Sequence, residues 1–278
     1  MGLFFASLNS GSNGNSYYVG NDTAAVLVDA GLSCREIESR MKRLDLDLRR
    51  VKAIFISHEH TDHIKGVELL SRKHQLPVYV TDSTRRNGRI KLEKHLSKTF
   101  EGNHPVEIAG LTVTAFSKFH DAADPYSFVI SDSAVNVGVF TDIGRPCANL
   151  IHHFKRCHAA FLESNYDEVM LQNGSYPYYL KKRISGGHGH LSNKEALQLF
   201  LEHRAPWMSH LVLSHLSQQN NTPEIVQQLF NAHAAGVEMI VASRHEPTAV
   251  FRVTASNIPA VKPTAAVQIT QQLQIQFS

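Results

Sequence analysis

The sequence predicts an α/β fold in which sheets pack face to face with helices outside, and three observations carry that expectation. Short apolar strands alternate with helical patterns through about the first 250 residues. No internal repeat and no long linker interrupts them. Hydrophobic content of 42% with 19% charged residues suits a globular chain that buries a sizeable core.

Taken in order, Met1–Leu8 reads as a first strand, because it lacks the basic start and cleavage site of an export signal. Tyr17–Val19 and Ala24–Asp29 follow as strands. Ser33–Leu44 reads as a helix, with Ile37, Met41 and Leu44 on one face and Ser33 with Glu36 as a capping box. Val51–Ser57 is a strand, Ile64–His74 a helix and Pro77–Thr81 another strand. Thr112–Phe116, Ser127–Ser131, Asn136–Phe140 and His158–Glu163 also read as strands. One helix starts near Asn193. A second starts at Pro223, behind Thr222 as N-cap, and stops at Gly236. Met239–Ser243 is a late strand. Residues 1–253 make one domain on this reading. Residues 254–278 differ in composition and form either an added edge strand or a loosely held tail.

No run of 18 or more apolar residues exists, which excludes a simple membrane helix. Three cysteines, Cys34, Cys147 and Cys157, are an odd set without metal-like spacing, as expected of reduced thiols in a cytoplasmic protein. Net charge is only +3, but it is unevenly spread. Arg85, Arg86, Arg89, Lys91, Lys94 and Lys98 face a single acid, Glu93, within their stretch. A second run covers Arg35 to Lys52, and a third is Lys181-Lys182-Arg183. Each alone reads as a solvated face, and together they fit a polyanionic partner such as nucleic acid.

The hexapeptide His58-Glu59-His60-Thr61-Asp62-His63 concentrates the chemistry. It places three imidazoles and an aspartate directly behind the strand Val51–Ser57. His58 and His60 share a face, because alternate residues do, and Asp62 and His63 can curl round to a second point. Imidazole and carboxylate are ligands of borderline divalent metals. Four of them on one loop suit two adjacent ions better than one. The bland alternative is a His-rich surface turn.

His-x-His-x-Asp-His after a buried strand resembles the signature of the metallo-β-lactamase superfamily. Val26-Leu27-Val28-Asp29-Ala30-Gly31, Phe119-His120-Asp121, Val139-Phe140-Thr141-Asp142-Ile143-Gly144 and Leu213-Ser214-His215-Leu216 resemble its other motifs, in the expected order. The resemblance implies a four-layer αββα sandwich and two divalent metal ions, with zinc, manganese and iron all compatible. It puts His58, His60 and His120 on one ion and Asp62, His63 and His215 on the other, with Asp142 bridging. Asp29 would orient the ligands without touching metal. Such a pair draws its nucleophile from water, so no serine or cysteine nucleophile is required. Superfamily lactamases tend to carry cysteine at the bridging position. Phosphodiesterases, nucleases and thioesterases carry aspartate.

Gly186-Gly187-His188-Gly189-His190-Leu191-Ser192-Asn193 forms a glycine-rich turn at a helix start, with Ser192 and Glu195 as a capping box. Free N–H groups and the helix dipole make such a place an anion site, and a plain glycine turn is the alternative. Ser10–Ser16, Glu163–Asp167 and the two motifs around His190 and His215 resemble the YycJ/WalJ group of small bacterial 5′→3′ DNA exonucleases. The chain has no room for the β-CASP insertion of related RNA nucleases. The resemblance makes Gly189, His190, Ser192 and Asn193 substrate-phosphate residues, and Asp62 and His190 the catalytic candidates, His190 to assist the leaving oxygen. The expectation is a cytoplasmic dinuclear phosphodiesterase acting on DNA. Its rivals are a thioesterase or cyclic-nucleotide phosphodiesterase, and a metal-stabilised binding protein without turnover.

Overall fold

A computed structural model describes residues 2–255. The first sheet of seven takes six strands from the first half of the chain: β1 (Gly2–Asn9), β2 (Ser16–Gly20), β3 (Ala25–Val28), β4 (Val51–Phe55), β5 (Val78–Tyr79) and β6 (Ser97–Lys98). Seven build the second: β7 (Pro105–Ile108), β8 (Leu111–Ser117), β9 (Tyr126–Ser131), β10 (Asn136–Phe140), β11 (Ala159–Glu163), β12 (His210–Ser214) and β13 (Glu238–Val241). The last strand, β14 (Phe251–Thr254), returns to pair antiparallel with β1, Leu3 opposite Val253. The orders are β14-β1-β2-β3-β4-β5-β6 and β13-β12-β11-β10-β9-β8-β7. Both sheets are mixed, and neither closes into a barrel.

Helices α1 (Cys34–Arg43), α2 (Thr61–Ile64), α3 (Val67–His74) and α4 (Asp82–Asn87) belong to the first half. The second half holds α5 (Ala148–Phe154), α6 (Glu168–Asn173), α7 (Tyr178–Ser185), α8 (Asn193–His203) and α9 (Pro223–Asn231). Three apolar layers separate the elements. Phe5, Tyr17, Val26, Phe55, Val113, Phe128 and Phe161 fill the space between the sheets. Leu27 and Ile54 meet Ile37, Met41 and Leu70 on the outer side of the first sheet. Phe140, Leu162 and Leu213 meet Leu150, Phe200 and Phe230 outside the second. The strands alternate between these layers because successive side chains point to opposite faces, and the outcome is a four-layer αββα sandwich. Among the described residues no helix is long and apolar enough to cross a membrane.

Several local expectations need correction. The helix expected over Ile64–His74 is two, α2 and α3, broken at Gly66. The Gly66 N–H donates to the Ala30 carbonyl at 2.8 Å, and a Cβ at that position would lie 2.1 Å from the Leu32 carbonyl oxygen. Helix α9 ends at Asn231, short of Gly236. At α1 only half the capping box forms: the Glu36 N–H donates to Ser33 Oγ at 3.3 Å. Helices α4 and α7 bury few or no side chains, so no apolar period announces them. The expected tail beyond residue 255 lies outside the described residues, and Thr254 ends β14.

Candidate metal centre

The C-terminal ends of six strands converge. Asp29 follows β3, the His loop follows β4 and leads into α2, and His120 lies beyond β8. Asp142 follows β10, Glu163 closes β11 and His215 follows β12. Carboxyl ends of strands are where open α/β sheets gather ligands. Asp29, Asp142 and His215 leave their strands at φ of 63°, 55° and 57°. A left-handed backbone at a residue with a Cβ costs free energy. Here it turns each side chain inward.

Two triads of ligand atoms result. His58 Nε2 lies 3.0 Å from His60 Nδ1, which lies 3.3 Å from His120 Nε2. Asp62 Oδ2 lies 3.6 Å from both His63 Nε2 and His215 Nε2. Asp142 stands between them, with Oδ2 3.2 Å from His63 Nε2, and Oδ1 3.5 Å from His215 Nε2 and 3.7 Å from His120 Nε2. Tetrahedral coordination with bonds of about 2.0–2.1 Å requires ligand atoms about 3.3 Å apart. Asp142 Oδ2 and His215 Nε2 are buried without a hydrogen bond of their own, which suits a coordination shell. The donor set therefore fits two divalent cations.

The other nitrogen of four rings is spoken for, which is how metal-binding imidazoles are held in one tautomer. His63 Nδ1–H donates to Asp29 Oδ2 at 2.7 Å. His120 Nδ1–H donates to the Gly189 carbonyl at 3.0 Å. His215 Nδ1–H donates to Glu163 Oε1 at 3.1 Å. Ser57 Oγ donates to Asp29 Oδ2 at 2.8 Å and so accepts from His58 Nδ1–H at 2.9 Å. Asp29 thus governs two rings without approaching the ligand cluster itself. A Cβ at Gly189 would lie 2.3 Å from the carbonyl oxygens of Arg183 and Ile184, so only glycine presents its carbonyl to His120 there.

Electrostatics divides the cluster. Burial, with the charge of His63, holds His58 well below the ordinary imidazole value. Burial also lowers His120 to about 4. Both rings therefore keep a free lone pair. Burial works against charge on His63 and His215 as well, but carboxylates overrule it. Asp142, Asp29 and Asp62 raise His63 well above its usual value. Asp142, with hydrogen bonds to Asp62 and Glu163, raises His215 to about 10. The carboxylate half of the centre is a cation-seeking site.

Three neighbours were not among the site residues expected from the sequence. Glu163, fully buried, accepts from His190 Nδ1 at 2.7 Å, the Ile143 N–H at 2.6 Å and the Leu191 N–H at 3.2 Å, besides His215. In the sequence it ends a strand in an acid, as Asp29 does, and opens the Glu163–Asp167 segment that resembles the YycJ/WalJ group. Asn15 is buried, and its Nδ2 donates to Asp62 Oδ2 at 3.1 Å. Lys118 is buried and its Nζ donates to the Thr141 carbonyl at 2.6 Å, steadying the bend into Asp142.

A cavity of about 190 Å³ opens beside the cluster, lined by Ser12, Asp121, Arg183, Gly189, His190 and His215 among others. With Nδ1 on Glu163, His190 keeps Nε2 as its free nitrogen on the cavity wall. Ser192 and Asn193 do not reach it, which corrects the substrate role expected of them. The reciprocal capping box uses the Ser192 hydroxyl and N–H on Glu195. Asn193 is buried, bonded to Ser164 and Asn221. The box takes up the Ser192 and Glu195 N–H donors, and the Ser192 O–H goes to Glu168 Oε1 at 3.2 Å, so none of the three is left for an anion. Of the basic runs, the Arg35–Lys52 stretch is engaged locally: Arg40 is buried on the Leu8 carbonyl and Asn9, Arg43 pairs with Glu246 and Arg49 with Asp47. Helix α4, with Arg85 and Arg86, borders the His loop, since Thr84 Oγ1 donates to the Asp124 carbonyl and Ala123 N–H to Glu59 Oε1.

The model of the β-lactamase superfamily domain matches residues 24–216. Exodeoxyribonuclease YycJ of Bacillus anthracis is 35% identical over 232 residues, covering 82% of this chain and 87% of that protein. Exodeoxyribonuclease WalJ of Streptococcus pneumoniae is 30% identical over 260 residues, covering 90% and 97%. The solved metallo-β-lactamase fold protein YhfI of Bacillus subtilis superimposes with a TM-score of 0.70 at 16% identity, over 91% of this chain and all of that one. That identity speaks to fold alone. The matched span runs from β3 to the residue after His215 and takes in both triads, so the chain belongs to the metallo-β-lactamase superfamily.

Proposed function

We propose that the chain is a two-metal phosphodiesterase that degrades DNA from its 5′ end in the cytoplasm. The observation that carries this reading is Asp142 set between two ligand triads, with a small, partly basic cavity alongside. Two relatives that align over most of their length bear the name exodeoxyribonuclease, which supports DNA as the substrate. The cysteines are free, in keeping with a reducing compartment.

His58, His60 and His120 would hold one cation, and Asp62, His63 and His215 the other, with Asp142 shared. Zinc, manganese and iron all accept this set. Two such cations supply Lewis acidity toward a phosphoryl oxygen and a nucleophile from water at neutral pH. Asp62, pinned by Asn15 at 3.1 Å and 3.6 Å from His215 Nε2, is placed to orient the attacking water. His190, fixed by Glu163, presents Nε2 to the cavity and can hold a proton for the departing oxygen. Arg183, tied to Asp121 at 2.5 Å, sets a positive charge on the cavity wall for the phosphate.

Metal-loaded protein given DNA labelled at the 5′ or the 3′ end tests this. Early release of the 5′ label in mononucleotides, stopped by chelator, is the expected result. Early release of the 3′ label would reverse the polarity, and no release from DNA would exclude it as the substrate.

A further inference from the structure

Helix α7 buries none of its residues, although packing of an apolar face is what ordinarily stabilises a short helix. It forms a partition instead. Leu180, Arg183 and Ile184 line the cavity at His190. Tyr178, Lys181, Lys182 and Ser185 line a second groove of about 640 Å³, closed on its far side by α6 and Tyr166. These four positions follow the i, i+3, i+4, i+7 spacing of one helical face. Tyr178 and its neighbour Tyr179 are 78% and 74% exposed, the largest values among the exposed apolar and aromatic side chains. Neither hydroxyl, nor the Lys182 ammonium, has a partner among the described residues.

Tyr178 with Lys181 and Lys182, on a groove that α7 separates from the His190 cavity, and the exposed ring of Tyr179 beside them match what single-stranded nucleic acid requires. Bases stack on exposed aromatic faces, and a positive groove follows the backbone. Inside a duplex each pair is covered on both faces by its neighbours, and only the terminal pair leaves one face open. The cavity of about 190 Å³ is also smaller than the pockets that enclose drug-sized ligands, so a duplex does not enter it. We infer that α7 is a single-strand platform: Tyr178 and Tyr179 stack unpaired bases of the DNA end, while Lys182 and Lys181, whose Nζ also donates to the Gln172 carbonyl at 2.6 Å, neutralise phosphates in the groove that flanks the His190 cavity. This rests on the nuclease reading above and adds that the end is unpaired where it meets the protein.

Binding can be measured without turnover, by fluorescence anisotropy of a labelled phosphorothioate oligothymidylate with the metal-loaded full chain. Tyr178→Ala with Tyr179→Ala should weaken binding by about fivefold or more, the low end for loss of one stacked base. The corresponding Phe pair should bind as wild type does. Lys182→Ala should reduce the salt dependence by about one released counterion. Hydrolysis of bis(4-nitrophenyl) phosphate, which has no bases to stack, should be unchanged in the Ala pair. Equal affinity of the wild type and the Ala pair overturns the platform, as does equal weakening toward a duplex or no binding of the oligonucleotide by wild type. Cleavage of end-labelled DNA by wild type scores the nuclease reading separately, so either idea can fail while the other stands.

Discussion

Replacing Asp142 with Asn should abolish DNA hydrolysis, lowering the rate by more than about 10²-fold, while the fold persists. Outer residues that merely orient metal ligands typically cost about 10–100-fold when changed, and a shared ligand has more to lose. Asn is the informative substitution because it keeps the shape of the side chain and tolerates the φ of 55° at this position. The amide has one acceptor oxygen, however, and its nitrogen can only donate. It cannot serve both triads, which approach Asp142 from His63 on one side and His120 on the other. Metal analysis should show the variant retaining fewer than two ions, with a circular dichroism spectrum like that of wild type. A variant with two ions and near-normal turnover would rule out the shared-ligand arrangement.

Glu163→Gln should damage stability and catalysis together. The carboxylate accepts four hydrogen bonds in a fully buried position, two from imidazoles and two from backbone N–H groups. Gln offers one oxygen and turns an NH₂ toward the remaining donors. Each buried donor left without an acceptor costs about 1–3 kcal/mol, so a loss of roughly 2–5 kcal/mol is expected in chemical denaturation. Activity should fall about 10–100-fold, since both His215 and His190 lose their orientation. Burial acts to raise this carboxyl, but His190 and His215 hold it down at about 2. Its stabilising contribution is therefore complete above the ordinary value near 4.5 and is lost as pH falls toward 2. The stability gap between wild type and variant should close under acid, as the carboxylate is protonated. A variant as stable and as active as wild type would reduce Glu163 to a bystander.

The two residues differ in how visible they are before folding. The His loop is legible because its ligands fall within six consecutive residues. Asp142 and His215 are single residues at strand ends, meaningful only in register with that loop. Glu163 closes a strand as Asp29 does, but a lone terminal acid also serves as an ordinary cap, so its four partners become apparent only when β10, β12 and the His190 turn converge. Lys118 follows a strand and looks like any solvated lysine. Its burial depends on the Thr141 carbonyl, 23 residues away. The sandwich itself is readable from strands that alternate between two apolar layers. Helices α4 and α7 are not, because periodicity reports burial and they bury little. Ser192 shows the opposite failure: its capping box is plain in sequence, yet forming the box removes the donors that made the site attractive.

Titration of metal-free protein with zinc or manganese, followed by calorimetry and by release of label from DNA, tests the two-metal centre most directly. Saturation at two equivalents, with hydrolysis rising chiefly over the second, is the predicted result. Full hydrolysis at one equivalent, with no further binding, would contradict it.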